Sequence, residues 1–302
     1  STPEEIQPYL ADASFIREGY ADRLVFPESV DDISRVLAEA NSGRVPVTVS
    51  GAGTGTVGGR VAFGGIVLAT DKLNQIKRII HEGAGGFAVV EPGVILSDLQ
   101  RAVDQDGLLY PPDPTERGAF VGGTVATNAS GARTFKYGPT RNYIRRLKVV
   151  LASGEIIDLR RGEGRADASG RIRIGNIDAQ LPTYRLPHTR KNATGYFVAP
   201  EMDAVDLFIG SEGTLGVICE IEVRLLPKPQ GLLSGVVFFT DEADVLALVR
   251  DVRTGFDARA LEFFDRESLG FLREKYPNIP DAAVSAIFFE QETTEATEEA
   301  VL

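Results

Sequence analysis

At 302 residues with 43% apolar side chains, the chain is long enough for two domains and a sizeable core, which excludes a fibrous or disordered class. A formal charge of −11 with no dense basic block argues against nucleic acid or an anionic membrane surface as the main partner. One cysteine, Cys219, and two well-separated histidines, His81 and His188, leave no internal disulfide, no cysteine cluster and no expected metal site. There is no leader-like segment and no apolar run near ~18 residues. The expected location is cytoplasmic, or peripheral at the inner face of a membrane.

Residues 1–18 read as a short acidic helix with Pro3 near its first turn, followed by a connector. Leu24-Val25-Phe26-Pro27 is a strand and turn, and Ser29 caps a helix over 31–40 whose Ile33, Val36 and Leu37 share one face. Gly43 ends it, and 45–49 form the next strand. The segment after that strand is almost free of side-chain bulk: Gly51-Ala52-Gly53-Thr54-Gly55-Thr56-Val57-Gly58-Gly59. Backbone N–H groups in such a loop can close directly on an anion such as a pyrophosphate.

Gly53, Gly55 and Gly58 also spell the G-x-G-x-x-G dinucleotide fingerprint, with Asp71 standing where a ribose-binding acid belongs. That fingerprint demands a helix at its third glycine. Here Arg60-Val61-Ala62-Phe63-Gly64-Gly65 leads into the β-branched run 66–70, so a Rossmann unit is disfavoured. A plain flexible connection is the bland alternative.

Further strands are expected at 76–80 and 87–91, then a helix over 95–105 with Leu96, Leu99 and Val103 on one side. Pro111-Pro112-Asp113-Pro114 stiffens the entry to a second unusual stretch. In Gly122-Gly123-Thr124-Val125-Ala126-Thr127-Asn128-Ala129-Ser130-Gly131 nearly every residue is small or hydroxylated. Such a run can lay backbone on a flat ligand, with Thr124, Thr127, Asn128 and Ser130 bonding its polar edges. A tight helix-packing contact is the other reading.

A hairpin is expected over 147–159, and the polar segment 162–186 reads as a surface excursion or lid. A third glycine run comes next, Gly210-Ser211-Glu212-Gly213-Thr214-Leu215-Gly216-Val217-Ile218, feeding the alternating strand 219–226. Pro227-Lys228-Pro229 marks a boundary. Beyond it come strand 235–239, helix 242–252, strand 260–264, helix 268–275, strand 284–290, and a helix capped by Thr293 or Thr294 that runs to Leu302.

Three such motifs in this order resemble the flavin-binding domain of the vanillyl-alcohol oxidase and p-cresol methylhydroxylase superfamily, most nearly its D-lactate dehydrogenase and glycolate oxidase branch. The resemblance runs from about Val25 to Pro229, and more weakly into Ala260-Leu261-Glu262-Phe263-Phe264-Asp265. It implies an α+β fold: an arm over 1–20, a two-subdomain FAD-binding domain of the p-cresol methylhydroxylase (PCMH) type over 21–229, and the truncated start of an α+β, ferredoxin-like cap over 230–302. Gly51, Ala52, Gly53, Thr54 and Gly55 are the implied pyrophosphate loop. Pro112, Gly122, Gly123, Thr124, Thr127, Asn128, Ser130, Gly131 and Gly138 would run along the pyrophosphate and ring, and Glu212, Gly213, Gly216, Val217 and Ile218 along the adenosine and ribityl parts.

Two departures stand out. Members often carry an arginine immediately before the loop, where this chain has Ser50. Relatives that attach FAD covalently have a histidine where Thr54 stands, so FAD is expected to be tightly but non-covalently held.

The implied function is the FAD-holding part of an oxidoreductase acting on a CH–OH donor. It would oxidise a small 2-hydroxy acid (D-lactate, glycolate or D-2-hydroxyglutarate) and pass electrons to a redox partner subunit or iron–sulfur domain rather than to NAD. Alternatives on the same scaffold are a reductase of a UDP-linked enolpyruvyl sugar and a non-catalytic flavin-binding subunit. No catalytic residue is assigned; the base and the substrate-carboxylate ligand are expected beyond residue 302, and His188 is expected to be a surface histidine.

Overall fold

The computed structural model describes residues 2–187, 189 and 192–294. His188 and the helix expected after Thr293 or Thr294 therefore lie outside the described residues. Contacts divide the chain into two units. The first comprises Ser1–Tyr110, Glu116–Ala129 and Pro139–Pro227; the second comprises Pro111–Thr115, Ser130–Gly138 and Lys228–Leu302. The second unit thus takes two short pieces out of the stretch that the sequence assigns to one continuous domain over 21–229.

The first unit begins with a one-turn helix, α1 (Pro3–Ile6), and a 3-10 turn over Gln7–Tyr9, the short helix and connector expected over 1–18. Pro8 has no N–H to continue an α-helical ladder. Next in the chain is a parallel three-stranded sheet, in the order β1 (Arg23–Val25), β3 (Ile66–Ala69), β2 (Val47–Ser50). All four residues of the central β3 are buried, as expected of a strand covered on both faces. One cover is α2 (Val30–Gly43), whose Ser29 Oγ accepts the Asp32 N–H as a cap. The other is the N-terminal arm, whose Ile6 packs with Leu24, Ala62, Val67 and Ala69.

The larger sheet of this unit is antiparallel. It is built from β4 (Ile76–Glu82), β5 (Gly85–Val90), β6 (Leu108–Leu109), β7 (Ile144–Val150), β8 (Ile156–Arg160) and β11 (Val217–Pro227), and β11 pairs with β5, β6 and β7. Between β8 and β11 the excursion holds a short hairpin, β9 (Arg171–Ile174) with β10 (Ile177–Gln180), where the sequence suggests an irregular lid. Its turn is Gly175-Asn176, a two-residue connection suited to tight hairpins. Ile33 and Leu37 of α2 meet Leu68 of β3, Val150 of β7, and Val217 and Cys219 of β11 in one buried cluster, so α2 joins the two sheets.

Three short helices complete the glycine-rich regions and the flank: α3 (Leu96–Gln105), α4 (Val121–Ala126) and, in the second unit, α5 (Thr134–Tyr137). One turn, α6 (Val205–Phe208), precedes the third glycine run. The second unit has the sheet order β12 (Gly231–Phe239), β14 (Ser285–Thr293), β13 (Ala258–Phe264), with α7 (Glu242–Gly255) and α8 (Arg266–Lys275). Leu269 of α8 packs on Ala283 and Ala286. Strand β14 keeps pairing to Thr293, which faces Gly231, so Thr293 closes a strand where the sequence suggests a helix cap. Among the described residues no helix is long and apolar enough to cross a membrane.

Candidate functional site

The first glycine run leaves β2 at Ser50 and is backed by Arg60. The Arg60 Nη1 donates to the Gly51 carbonyl oxygen at 2.9 Å, and its Nη2 donates to the Pro8 carbonyl. The guanidinium lies 5.1 Å above the Tyr9 ring, and Tyr9 Oη donates to Asp71 at 3.0 Å. Burial lowers the Arg60 pKa from the ordinary guanidinium range, against the opposing pull of Asp71, Tyr9 and Asp12. Burial likewise raises Tyr9, helped by its bond to Asp71.

Gly53 sits at φ +75°, which favours glycine, and a side chain there would also displace the Arg60 guanidinium. On the ligand side the loop is open. Nothing lies within 4 Å of where a Gly55 side chain would start, and among the described residues no acceptor takes the N–H of Ala52, Gly53, Thr54 or Gly55. Unpaired main-chain donors in a side-chain-free loop are what a bound pyrophosphate requires, so the residues fit such a group.

The second run folds as α4, with both readings of its glycines present side by side. A side chain on Gly122 would meet Pro92 Cβ at 2.5 Å, so Gly122 is a packing glycine, held by its N–H to the Pro92 carbonyl at 2.8 Å. Gly123 instead faces open space, and its N–H has no acceptor among the described residues. The hydroxyls expected to bond ring edges each donate to a carbonyl of their own helix: buried Thr124 Oγ1 to Val121 O at 2.8 Å and exposed Thr127 Oγ1 to Gly123 O at 2.9 Å. Helix geometry explains both bonds, because a threonine hydroxyl readily returns to the preceding turn's carbonyl. Asn128 is buried in the left-handed region at φ 48°, and its Oδ1 accepts the Arg141 N–H at 2.9 Å.

The third run closes on the other two. Gly210 and Glu212 donate their N–H groups to Val125 O and Ala126 O at 3.0 and 2.9 Å. A side chain on Gly213 would start 3.3 Å from Val49 of β2, and one on Gly59 would start 3.1 Å from Glu212 Oε2. A side chain on Gly51 would start 3.9 Å from the ring of Phe120, the residue that opens α4. The first run, the second as far as Ala129 and the third therefore meet in the first unit. Glu212, at φ 53°, joins Asn128 as a non-glycine residue in a strained backbone state, and both lie within the runs.

Gly216 is glycine because Val149 Cγ1 and Val150 O would crowd a side chain at 2.7 and 2.8 Å. Val217 points into the cluster with Ile33, and Ile218 is also buried, so both can offer a ligand little beyond main chain.

The remaining predicted residues belong to the second unit. Pro112 lies in Pro111–Thr115, while Ser130, Gly131 and Gly138 lie in Ser130–Gly138. There a side chain on Gly131 would overlap the Asp113 carbonyl, its N–H donates to Thr134 Oγ1 at 2.9 Å, and Gly138 ends α5 at φ 75°.

Two cations escape sequence reasoning, Arg60 and Arg141. Arg141 Nη1 bonds Asp206 Oδ1, its guanidinium lies 4.2 Å from the Phe197 ring centroid, and burial lowers its pKa against the pull of Asp206. Each arginine contacts segments dozens of residues away, which no local pattern announces.

Comparison with known proteins gives a domain family, several relatives and a shared fold. The family described as FAD binding domain matches residues 21–160. A D-lactate dehydrogenase of Anaerostipes hadrus is 37% identical over 81% of this chain and 45% of the relative. The glycolate oxidase subunit GlcD of Bacillus subtilis is 35% identical over 94% of this chain and 54% of the relative. A D-2-hydroxyglutarate dehydrogenase of Stutzerimonas stutzeri is 32% identical over 82% and 46%. Among solved structures an alkyldihydroxyacetonephosphate synthase superposes with TM-score 0.68 at 18% identity over 92% of this chain and 48% of that one, which shows a shared fold. The chain spans about half the length of the curated relatives it matches.

Proposed function

We propose that the chain belongs to the family of flavin-linked proteins built on the FAD binding domain that matches residues 21–160, and that it is the FAD-holding portion of an oxidoreductase that oxidises a 2-hydroxy acid of the D-lactate, glycolate or D-2-hydroxyglutarate class. Electrons would leave to an acceptor other than NAD. The observation that carries the reading is the meeting of three bulk-free runs around N–H donors with no acceptor among the described residues.

In this reading Gly51, Ala52, Gly53, Thr54 and Gly55 hold the pyrophosphate through main chain, while Gly123 and its neighbours Gly122, Thr124, Thr127 and Asn128 back the flat part of the cofactor. Glu212, Gly213, Gly216, Val217 and Ile218 line the adenosine side. Pro112, Ser130, Gly131 and Gly138 stay proposed contacts on the resemblance alone. Bound FAD would supply the two-electron oxidation of a CH–OH donor. The chain's own residues contribute grip, orientation and exclusion of water, and no proton transfer is assigned to any of them. Thr54 cannot form the flavin bond that a histidine can, so the cofactor is held non-covalently.

The division into an arm over 1–20, an FAD-binding domain over 21–229 and a substrate-side region from 230 belongs to this proposal. So do a redox partner subunit or iron–sulfur domain, suggested by a relative named as a subunit, and a cytoplasmic or peripheral location. The test is anaerobic mixing of the FAD-loaded protein, at the length of its relatives, with D-lactate, glycolate, D-2-hydroxyglutarate and NADPH in turn. Bleaching of the flavin by a hydroxy acid and not by NADPH is expected. Bleaching by NADPH alone would overturn the substrate class.

A further inference from the structure

Arg60 stands behind the first glycine run, on the opposite side from the open N–H groups. Its Nη1 holds the Gly51 carbonyl at 2.9 Å, and the Ala13 N–H holds the Gly53 carbonyl at 3.2 Å. Across a planar trans peptide the C=O and the following N–H point in opposite directions. Drawing the carbonyls of Gly51 and Gly53 back therefore turns the N–H groups of Ala52 and Thr54 forward, and neither has an acceptor among the described residues.

The same guanidinium reaches the Pro8 carbonyl and lies over the Tyr9 ring, so one side chain ties the N-terminal arm to the loop. It also fills the space where a Gly53 side chain would stand. Burial lowers its pKa against the pull of Asp71, Tyr9 and Asp12, and its two carbonyl bonds give it a geometric role in the loop. Arg60 Nε, Asp12 Oδ2 and Asp71 Oδ2 are buried with no hydrogen-bond partner, which leaves this cluster capacity to bind more than it does.

We propose that Arg60 is the positioning residue of the pyrophosphate loop: it pins the loop to the N-terminal arm and so presents the Ala52 and Thr54 N–H groups to a phosphate-bearing ligand. This rests on the flavin reading above and goes beyond it by locating the device that shapes the anion site. A planar fork that spans two carbonyls is needed, which lysine supplies only in part.

The test is a titration of apoprotein with FAD and, separately, with riboflavin, which has the ring but no phosphate, for wild type, R60K and R60A, with thermal unfolding of each apoprotein. The expected result is that R60A loses FAD affinity tenfold or more while its riboflavin affinity stays within twofold, and that R60K falls between. R60A that keeps the wild-type FAD affinity overturns the proposal, as does equal loss of both ligands, which marks general damage to the fold. Should R60A not fold, the ratio of FAD to riboflavin affinity in R60K decides: a lowered ratio supports the proposal and a wild-type ratio overturns it. Wild type that takes up riboflavin and FAD equally overturns the proposal, because no pyrophosphate site is then in use. Wild type that binds neither overturns the flavin reading itself, and the proposal with it.

Discussion

Arg141 Nη1 lies 2.9 Å from Asp206 Oδ1 and 2.7 Å from the main-chain oxygen of the same residue, and its Nη2 reaches Ile209 O. One buried side chain thereby holds the turn that delivers Gly210 and Glu212 to α4. Removing it would leave Asp206, which is 6% exposed, with Arg161 alone. Arg161 still answers the Asp206 charge, so the loss is chiefly that of the hydrogen bonds to Asp206 and Ile209, about 1.5–3 kcal/mol for a bond to a charged group. R141A is therefore expected to unfold at clearly lower urea concentration than wild type, with R141K between them, and a wild-type midpoint would contradict the clamp.

Gly122 and Gly123 are neighbours with opposite surroundings. G122A drives a methyl into Pro92 and is expected to destabilise the apoprotein by about 1–3 kcal/mol. G123A meets nothing in the apoprotein and gains helix propensity, so its stability should stay level or rise by about 0.5–1 kcal/mol. Its FAD affinity should nevertheless fall, since the new methyl stands where the ligand is proposed to lie. Thermal melts of both apoproteins, together with flavin titrations, separate the two effects.

Glu220 of β11 accepts from Lys77 at 2.8 Å and from Arg146 at 2.7 Å. Burial alone would raise its pKa, but those bonds and the Lys77 and Lys148 charges bring it down to about 2 from an ordinary 4.5. A depressed carboxylate contributes stability that is complete above the unfolded value and is lost as pH falls through the folded one. Wild type should therefore lose stability between about pH 4.5 and 2, and E220Q should show a shallower loss over that window in urea melts taken at each pH. Parallel curves would contradict the assignment.

Cys219 is buried in the cluster under α2, and burial pushes its thiol up to about 12. The thiolate is the reactive form. Native protein is expected to resist a thiol-specific reagent at neutral pH and to react fully once unfolded; rapid native labelling would show that this core opens.

Local signals are the legible ones. Ser29, Ile33 and Leu37 announce α2, and the three glycine runs announce themselves by composition. Apolar alternation places β7, β8 and β11, and the missing helix after Gly58 argues correctly against a Rossmann unit, because the chain goes through Arg60 straight into β3. The Arg171–Ile174 hairpin rests on turn chemistry that polarity obscures. The helix-internal bonds of the Thr124 and Thr127 hydroxyls are hidden because two adjacent glycines mask a helix that tertiary packing stabilises. Arg60 and Arg141 are hidden for a different reason: their partners, Pro8 and Gly51 for one and Asp206 and Ile209 for the other, become neighbours only in the folded chain.

The most direct measurement is equilibrium binding of FAD to purified apoprotein, followed by acid precipitation. The account predicts one intact FAD per chain, released to the supernatant and absent from the pellet. Protein that stays colourless with FAD in excess, or whose flavin precipitates with the polypeptide, would contradict it.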